Sequence, residues 1–96
     1  MVILTGIHTR PDPSIEWYSR PESINLLEKQ MLEDGRLLSK QSEDVDQFTR
    51  QNTHIFIDKS AYECWTNNTS RMEVKQARKI YNEEHGITSK NTVIEI

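Results

Sequence analysis

The sequence predicts one α+β domain over residues 1–96, with the order strand, helix, strand, strand, helix, strand and an antiparallel sheet that carries both helices on one face. Three observations carry this. Between Asn52 and Trp65, Thr53, Ile55 and Ile57 alternate with His54, Phe56 and Asp58, and Ser60 followed by Glu63 then has capping-box spacing, so a strand gives way to a helix. Gly35 and Gly86 each close an amphipathic stretch of helical period. The first and last segments both alternate with strand period.

Val2 to Thr9 places Val2, Leu4, Gly6 and His8 on one face and Ile3, Thr5, Ile7 and Thr9 on the other. Both faces carry apolar groups, so each needs a cover. Arg10-Pro11-Asp12-Pro13 stops the strand, because a proline has no ladder donor and restricts the residue before it. A helix follows from about Pro21 to Asp34, with Ser19 as its expected cap and Ile24, Leu27 and Met31 as its buried stripe. Trp17 and Tyr18, just upstream, are placed either to lid the sheet or to plug its end.

Arg36 to Ser42 reads as a second strand near an edge, and Glu43-Asp44-Val45-Asp46 as a solvated turn that lacks the glycine and oxygen spacing of a calcium loop. Phe48 to Asp58 is the third strand, joined to the second as a hairpin. Ala61 to Trp65 then forms a short helix, interrupted at Asn67 to Ser70. Ser70 and Glu73 repeat the capping-box spacing before a segment striped by Val74, Ala77, Ile80 and Tyr81. Thr88 to Ile96 is the closing strand.

Composition narrows the partners. A chain of 96 residues, 34% of them hydrophobic, buries a small share of its surface, and a subunit interface would add to it. With both helices on one face, the expected register leaves Val2, Leu4 and Phe56 on the other, so a homodimer packed sheet to sheet is expected. A net charge of -3 gives no electrostatic ground for nucleic-acid binding. Neither a membrane span nor a signal-peptide pattern is present, and Cys64 has no second cysteine to pair with, so a reducing, cytoplasmic setting is expected.

The segments HIFIDKSAYECW and RMEVKQARKIYNEEHGI resemble the strand, second helix and last-strand entrance of the dimeric α+β barrel superfamily, ferredoxin-like proteins that include the small antibiotic-biosynthesis-monooxygenase-like group. The resemblance implies a cofactor-independent oxygenase-like or binding role, although a shared fold does not assign chemistry. It does not extend to the haem-degrading branch. Trp65 resembles that branch's tryptophan, but Lys75 stands where its haem-ligating histidine is expected, and Gly6-Ile7 where its pocket asparagine is expected. No cofactor is therefore predicted.

His8 and His54 are the candidate acid-base residues, because imidazole titrates near neutrality. If Ile3, Ile7, Ile55 and Ile57 face the helices, both histidines lie with Leu4 and Phe56 on the barrel side, where a pocket for a hydrophobic small molecule would be expected. Trp65 and Glu95 complete the candidate ligand set, Glu95 as a carboxylate that orients a histidine. No histidine pair has clear metal-ligand spacing, and there is no Gly-rich phosphate loop. Two classes remain open: a small cofactor-independent enzyme or ligand binder, and a non-enzymatic assembly or regulatory module.

Overall fold

The computed structural model describes the backbone of residues 1–96 and every side chain except that of Met72. Its elements are β1 (Val2–Thr9), α1 (Glu22–Glu33), β2 (Leu37–Asp44), β3 (Thr49–Phe56), α2 (Lys59–Thr69), α3 (Met72–Glu84) and β4 (Thr88–Glu95). The strands form one antiparallel sheet in the order β2-β3-β1-β4. This is the ferredoxin-like arrangement, with the predicted second helix divided into α2 and α3.

Local chemistry explains the boundaries. Gly35 and Gly86 adopt φ of +80° and +67° just past α1 and α3, left-handed positions that a side chain would strain. Val45 to Phe48 turn β2 back into β3, where the Asp46 carboxylate accepts from the Phe48 amide at 2.7 Å. Glu43 and Asp44 belong to β2, so the predicted acidic turn is shorter than expected. Helix α2 starts two residues before the predicted Ala61, and its cap is Asp58, which accepts from the Ala61 amide at 2.8 Å. Ser60 therefore lies within the first turn and is not the cap. Ser19 and Ser70 do not cap either: Pro21 and Arg71 hold the N-cap positions of α1 and α3, without side-chain caps. The predicted break at Asn67 to Ser70 narrows to Ser70 and Arg71, because α2 runs on to Thr69, whose hydroxyl donates to the Trp65 carbonyl at 2.8 Å.

The core lies between the sheet and α1–α2. Val2, Met31, Leu37, Phe56 and Ala61 form its buried cluster, with Leu4, Leu27, Tyr62 and Trp65 packed around it. The two sheet faces are thus the reverse of the sequence expectation. Val2, Leu4, His54 and Phe56 face the helices, whereas Ile3, Ile7, Ile55 and Ile94 alternate to the outer face, where Ile7 and Ile94 stay 42% and 52% exposed. The reason is aromatic packing. Phe56 meets the rings of Tyr62 and Trp65 at centroid separations of 5.7 Å, and burying these three large surfaces together outweighs burying slender isoleucines.

Helix α3 is different from α1 and α2. None of its described residues is buried, Ile80 is 52% exposed, and every residue of β4 is exposed on both faces. The β4 side of the sheet is therefore open to solvent.

Candidate functional site

Four cross-strand rows pave the helix-facing side of the sheet. From the dry end they run through Leu37, Phe56, Val2 and Glu95; then Lys40, His54, Leu4 and Val93; then Ser42, Asn52, Gly6 and Asn91; and finally Asp44, Arg50, His8 and Ser89. The rows grade from apolar to polar, and the two candidate histidines fall in different rows.

The second row holds the chemistry. Glu28 on α1 is fully buried, and its Oε2 accepts from Arg20 Nη1 at 2.8 Å, His54 Nε2 at 2.8 Å and Trp65 Nε1 at 3.1 Å, while Oε1 accepts from Lys40 Nζ at 3.2 Å. Burial alone would push this carboxyl up. The hydrogen bonds from His54 and Arg20, with the charge of Arg20, outweigh that and hold it down at about 2. Glu28 is consequently ionised at neutral pH and can only accept, which makes His54 Nε2 the donor of their bond. The second ring nitrogen, Nδ1, has no hydrogen-bond partner among the described residues and is not a buried unpaired atom. A carboxylate-oriented imidazole with one free nitrogen results, stacked on Phe56 and tilted 4.9 Å from the Trp65 ring.

Sequence reasoning missed Glu28, although a signal was present. It stands four residues after Ile24 and three before Met31, so a charge sits in the middle of the α1 apolar stripe. A carboxylate there needs buried partners, and the polar residues on facing elements are His54 and Trp65. Glu95, expected to orient a histidine, is exposed opposite Val2; that position is taken by Glu28.

His8 lies in the fourth row. Its Nδ1 pairs with Ser89 Oγ at 2.8 Å, and its pKa is lowered by burial first and then by the charges of Arg78 and Arg50. Since Leu4 is the register partner of His54, four residues separate the two histidine rows, about 13 Å along the strands. They do not converge on one atom. The row of Ser42, Asn52, Gly6 and Asn91 lies between them, Leu4 stands beside His54, and Phe56 belongs to the core. Trp17 rests against Arg10 and Arg50, with guanidinium carbons 4.7 and 5.0 Å from its ring centre, and Tyr18 meets Tyr81 of α3 at 5.7 Å. Tyr81 Oη donates to the Glu16 carbonyl at 2.6 Å, so the loop after β1 plugs the polar end of the sheet and ties it to α3.

Elsewhere, a groove of about 450 Å³ between α1 and the α2–α3 junction is lined by Ile24, Leu27, Arg36, Asn68, Arg71 and Val74, and by neither histidine. Among the described residues, no cluster of three His, Cys, Asp or Glu side chains is placed to hold a metal ion. No helix is long and apolar enough to cross a membrane.

Comparison with solved structures bears out the fold. A dimeric ferredoxin-like protein from an uncultured marine organism aligns over 100% of this chain and 94% of its own at a TM-score of 0.62 and 10% identity. A candidate antibiotic biosynthesis monooxygenase from Deinococcus radiodurans aligns over 100% and 92% at 0.56 and 17% identity. A point variant of SnoaB, a cofactor-independent oxygenase from Streptomyces nogalater, aligns over 99% and 91% at 0.56 and 9% identity. The chain has the ferredoxin-like fold that the antibiotic-biosynthesis-monooxygenase-like structures share, and at these identities the likeness is one of fold. No protein-family model and no curated protein matches the chain.

Proposed function

We propose that this protein is a homodimer that binds an oxygenated hydrophobic small molecule on the helix-facing side of its sheet, with His54 as the group that accepts a proton from it. The observation that carries the reading is the His54–Glu28 pair: a buried carboxylate fixes Nε2 as donor and leaves Nδ1 free to act as a base. Leu4, Phe56 and Trp65 supply apolar surroundings, and the solvent-exposed β4 side of the sheet supplies the route of approach. Proton removal is a step that cofactor-independent oxygenation and isomerisation have in common. The chemistry asks for no bound cofactor, as in SnoaB, a cofactor-independent oxygenase of similar fold. The cytoplasm suits the lone free cysteine, Cys64.

Dimerisation is supported by the outer sheet face. Ile3, Ile7, Ile55 and Ile94, with Thr5 and Thr53 between them, make an apolar surface that a second copy would cover. One of the similar structures is itself described as dimeric.

The test uses 2-tetralone, a hydrophobic ketone with an acidic benzylic C–H. Incubated with the protein in deuterated buffer and followed by NMR, it should take up deuterium faster than in buffer alone, and His54→Gln should remove the gain while leaving the far-ultraviolet circular dichroism unchanged. Glutamine keeps a hydrogen bond to Glu28 but cannot take the proton. Equal exchange by parent and variant would leave the histidine a structural partner of Glu28, and the non-enzymatic reading would replace this one.

A further inference from the structure

The groove of about 450 Å³ between α1 and the α2–α3 junction is lined by neither histidine, and the His54 reading does not use it. Its size falls within the range of about 300 to 1,000 Å³ that small-molecule sites occupy. Ile24, Leu26, Leu27 and Val74 make it apolar, and among the described residues no aromatic ring lines it. A purely aliphatic surface suits a flexible alkyl chain better than a flat ring system, which would find no ring to stack on.

The charged groups on this groove have one sign. Arg36 and Arg71 line it and, among the described residues, no carboxylate does, although the chain as a whole holds 15 acidic side chains against 12 basic ones. Glu22, Glu28, Asp34 and Glu73 stand near the lining residues in sequence without belonging to the lining. Glu28 is turned inward to His54, and Asp34 pairs with Arg36 through Nε at 2.9 Å and Nη2 at 2.8 Å. The remaining nitrogen of that guanidinium, Nη1, meets only the Cys64 thiol, 3.5 Å away. Asn68 Nδ2 reaches the same sulfur at 3.6 Å, which sets Arg36 against the last turns of α2, and Arg71 follows in the break before α3. Among the described residues Arg71 has no ion-pair partner.

We infer that this groove is a second ligand site, one that takes a straight-chain aliphatic carboxylate, its acid on Arg36 and Arg71 and its chain along Ile24, Leu27 and Val74. Charge and surface both select this class. A guanidinium matches the planar fork of a carboxylate, and a charge-assisted hydrogen bond is stronger than a neutral one, whereas the aliphatic walls reward an alkyl chain withdrawn from water. From Ser23 to Gln30 the groove follows α1 for about 10 Å, the reach of an extended octanoate. One wall belongs to α1 and the other to the α2–α3 junction, so a bound chain would tie α3, none of whose described residues is buried, to the packed part of the fold.

Titration of the full chain with octanoate and with octanamide, followed by amide NMR, tests it, since the two share an alkyl chain and a planar head and differ in charge. Octanoate should shift the signals of Leu27, Asn68 and Val74 to saturation and bind about tenfold more tightly than the amide, the ratio that one charge-assisted hydrogen bond produces over a neutral one. Arg71→Gln, at an exposed position, should reduce that preference to about threefold or less without weakening octanamide. Val74→Asp places a like charge in the groove at a first-turn helix position that tolerates a carboxylate, so it should abolish octanoate binding while the far-ultraviolet circular dichroism stays unchanged. The absence of saturable shifts at millimolar octanoate, shifts centred on His54 or on the outer sheet face, equal affinity for the two probes, or a preference that survives in the Arg36→Gln, Arg71→Gln double variant would overturn the inference. His54→Gln should bind octanoate as the parent does, and the 2-tetralone exchange is read separately, so loss of the groove site and loss of the His54 base are told apart.

Discussion

The two halves of the sheet are built on opposite terms. Over β2 and β3, α1 and α2 pack closely, Phe56, Met31 and Leu37 are at most 1% exposed, and the one charge inside is satisfied from four directions. Over β1 and β4, α3 stands off and β4 is wet on both faces. The same chain thus concentrates its limited apolar surface in one half and leaves the other open to solvent, because a domain this small has too little apolar surface to bury both. Dry packing and solvent exposure are assigned to different strands.

The largest effects should fall in the closed half. Phe56→Ala removes the most buried aromatic ring and should cost about 3 to 5 kcal/mol in urea denaturation. Glu28→Ala should cost nearly as much, about 3 kcal/mol or more, because His54 and Trp65 lose their shared acceptor. A loss below about 1 kcal/mol would mean that water replaces the carboxylate and that the closed half is not dry.

Acid should open this half selectively. The folded pKa of Glu28 lies near 2, below its ordinary 4.5, so its ionised form is favoured by the fold. That stabilisation is complete above about pH 5 and is lost as pH falls toward 2, by about 3 kcal/mol for a shift of this size. Denaturation midpoints measured from pH 6 to 2.5 should fall steeply in the parent and much less in Glu28→Gln; parallel slopes would assign acid sensitivity to other carboxylates.

Smaller changes sharpen the contrast. Asp58→Ala should cost about 0.5 to 2 kcal/mol, whereas Ser60→Ala should leave the midpoint nearly unchanged, since the α2 cap is the aspartate. In the open half, Ile80→Ala should change stability by no more than about 0.5 kcal/mol, as expected for a half-exposed side chain on a helix that covers little. A loss near that of Phe56→Ala would show that α3 is packed in solution, against the sheet or against a second copy.

These contrasts also explain what the sequence could disclose. The order of elements was legible because Gly35, Gly86 and the two proline stops act locally, within a few residues of themselves. The choice of sheet face was not, since Val2, Leu4 and Phe56 on one side and Ile3, Ile7 and Ile55 on the other satisfy alternation equally well. What decides between them is the company of Trp65 and Tyr62, a contact between β3 and α2 that periodicity does not encode. The helix starts were misjudged for a related reason. Asp58 and Ser60 are both good caps, and Ile57 and Asp58 fall outside the strand that alternation extends to them. The candidate site was half visible: both histidines share a face as alternation required, but the partner that organises His54 comes from α1.

The register of β1 has a consequence for how the chain acquires this form. One edge of β1 pairs with β3, and the other waits for β4, which begins at Thr88 and brings Val2 opposite Glu95. On the ribosome, the centre of the sheet is therefore an unfinished edge until the last strand has been made, with Ile3 and Ile7 beside unpaired backbone groups. The closed half can assemble during synthesis, because the contacts among α1, β2, β3 and α2 span short stretches of chain. Completion of the open half depends on the most distant pairing in the molecule, and it is the slow step that topology imposes.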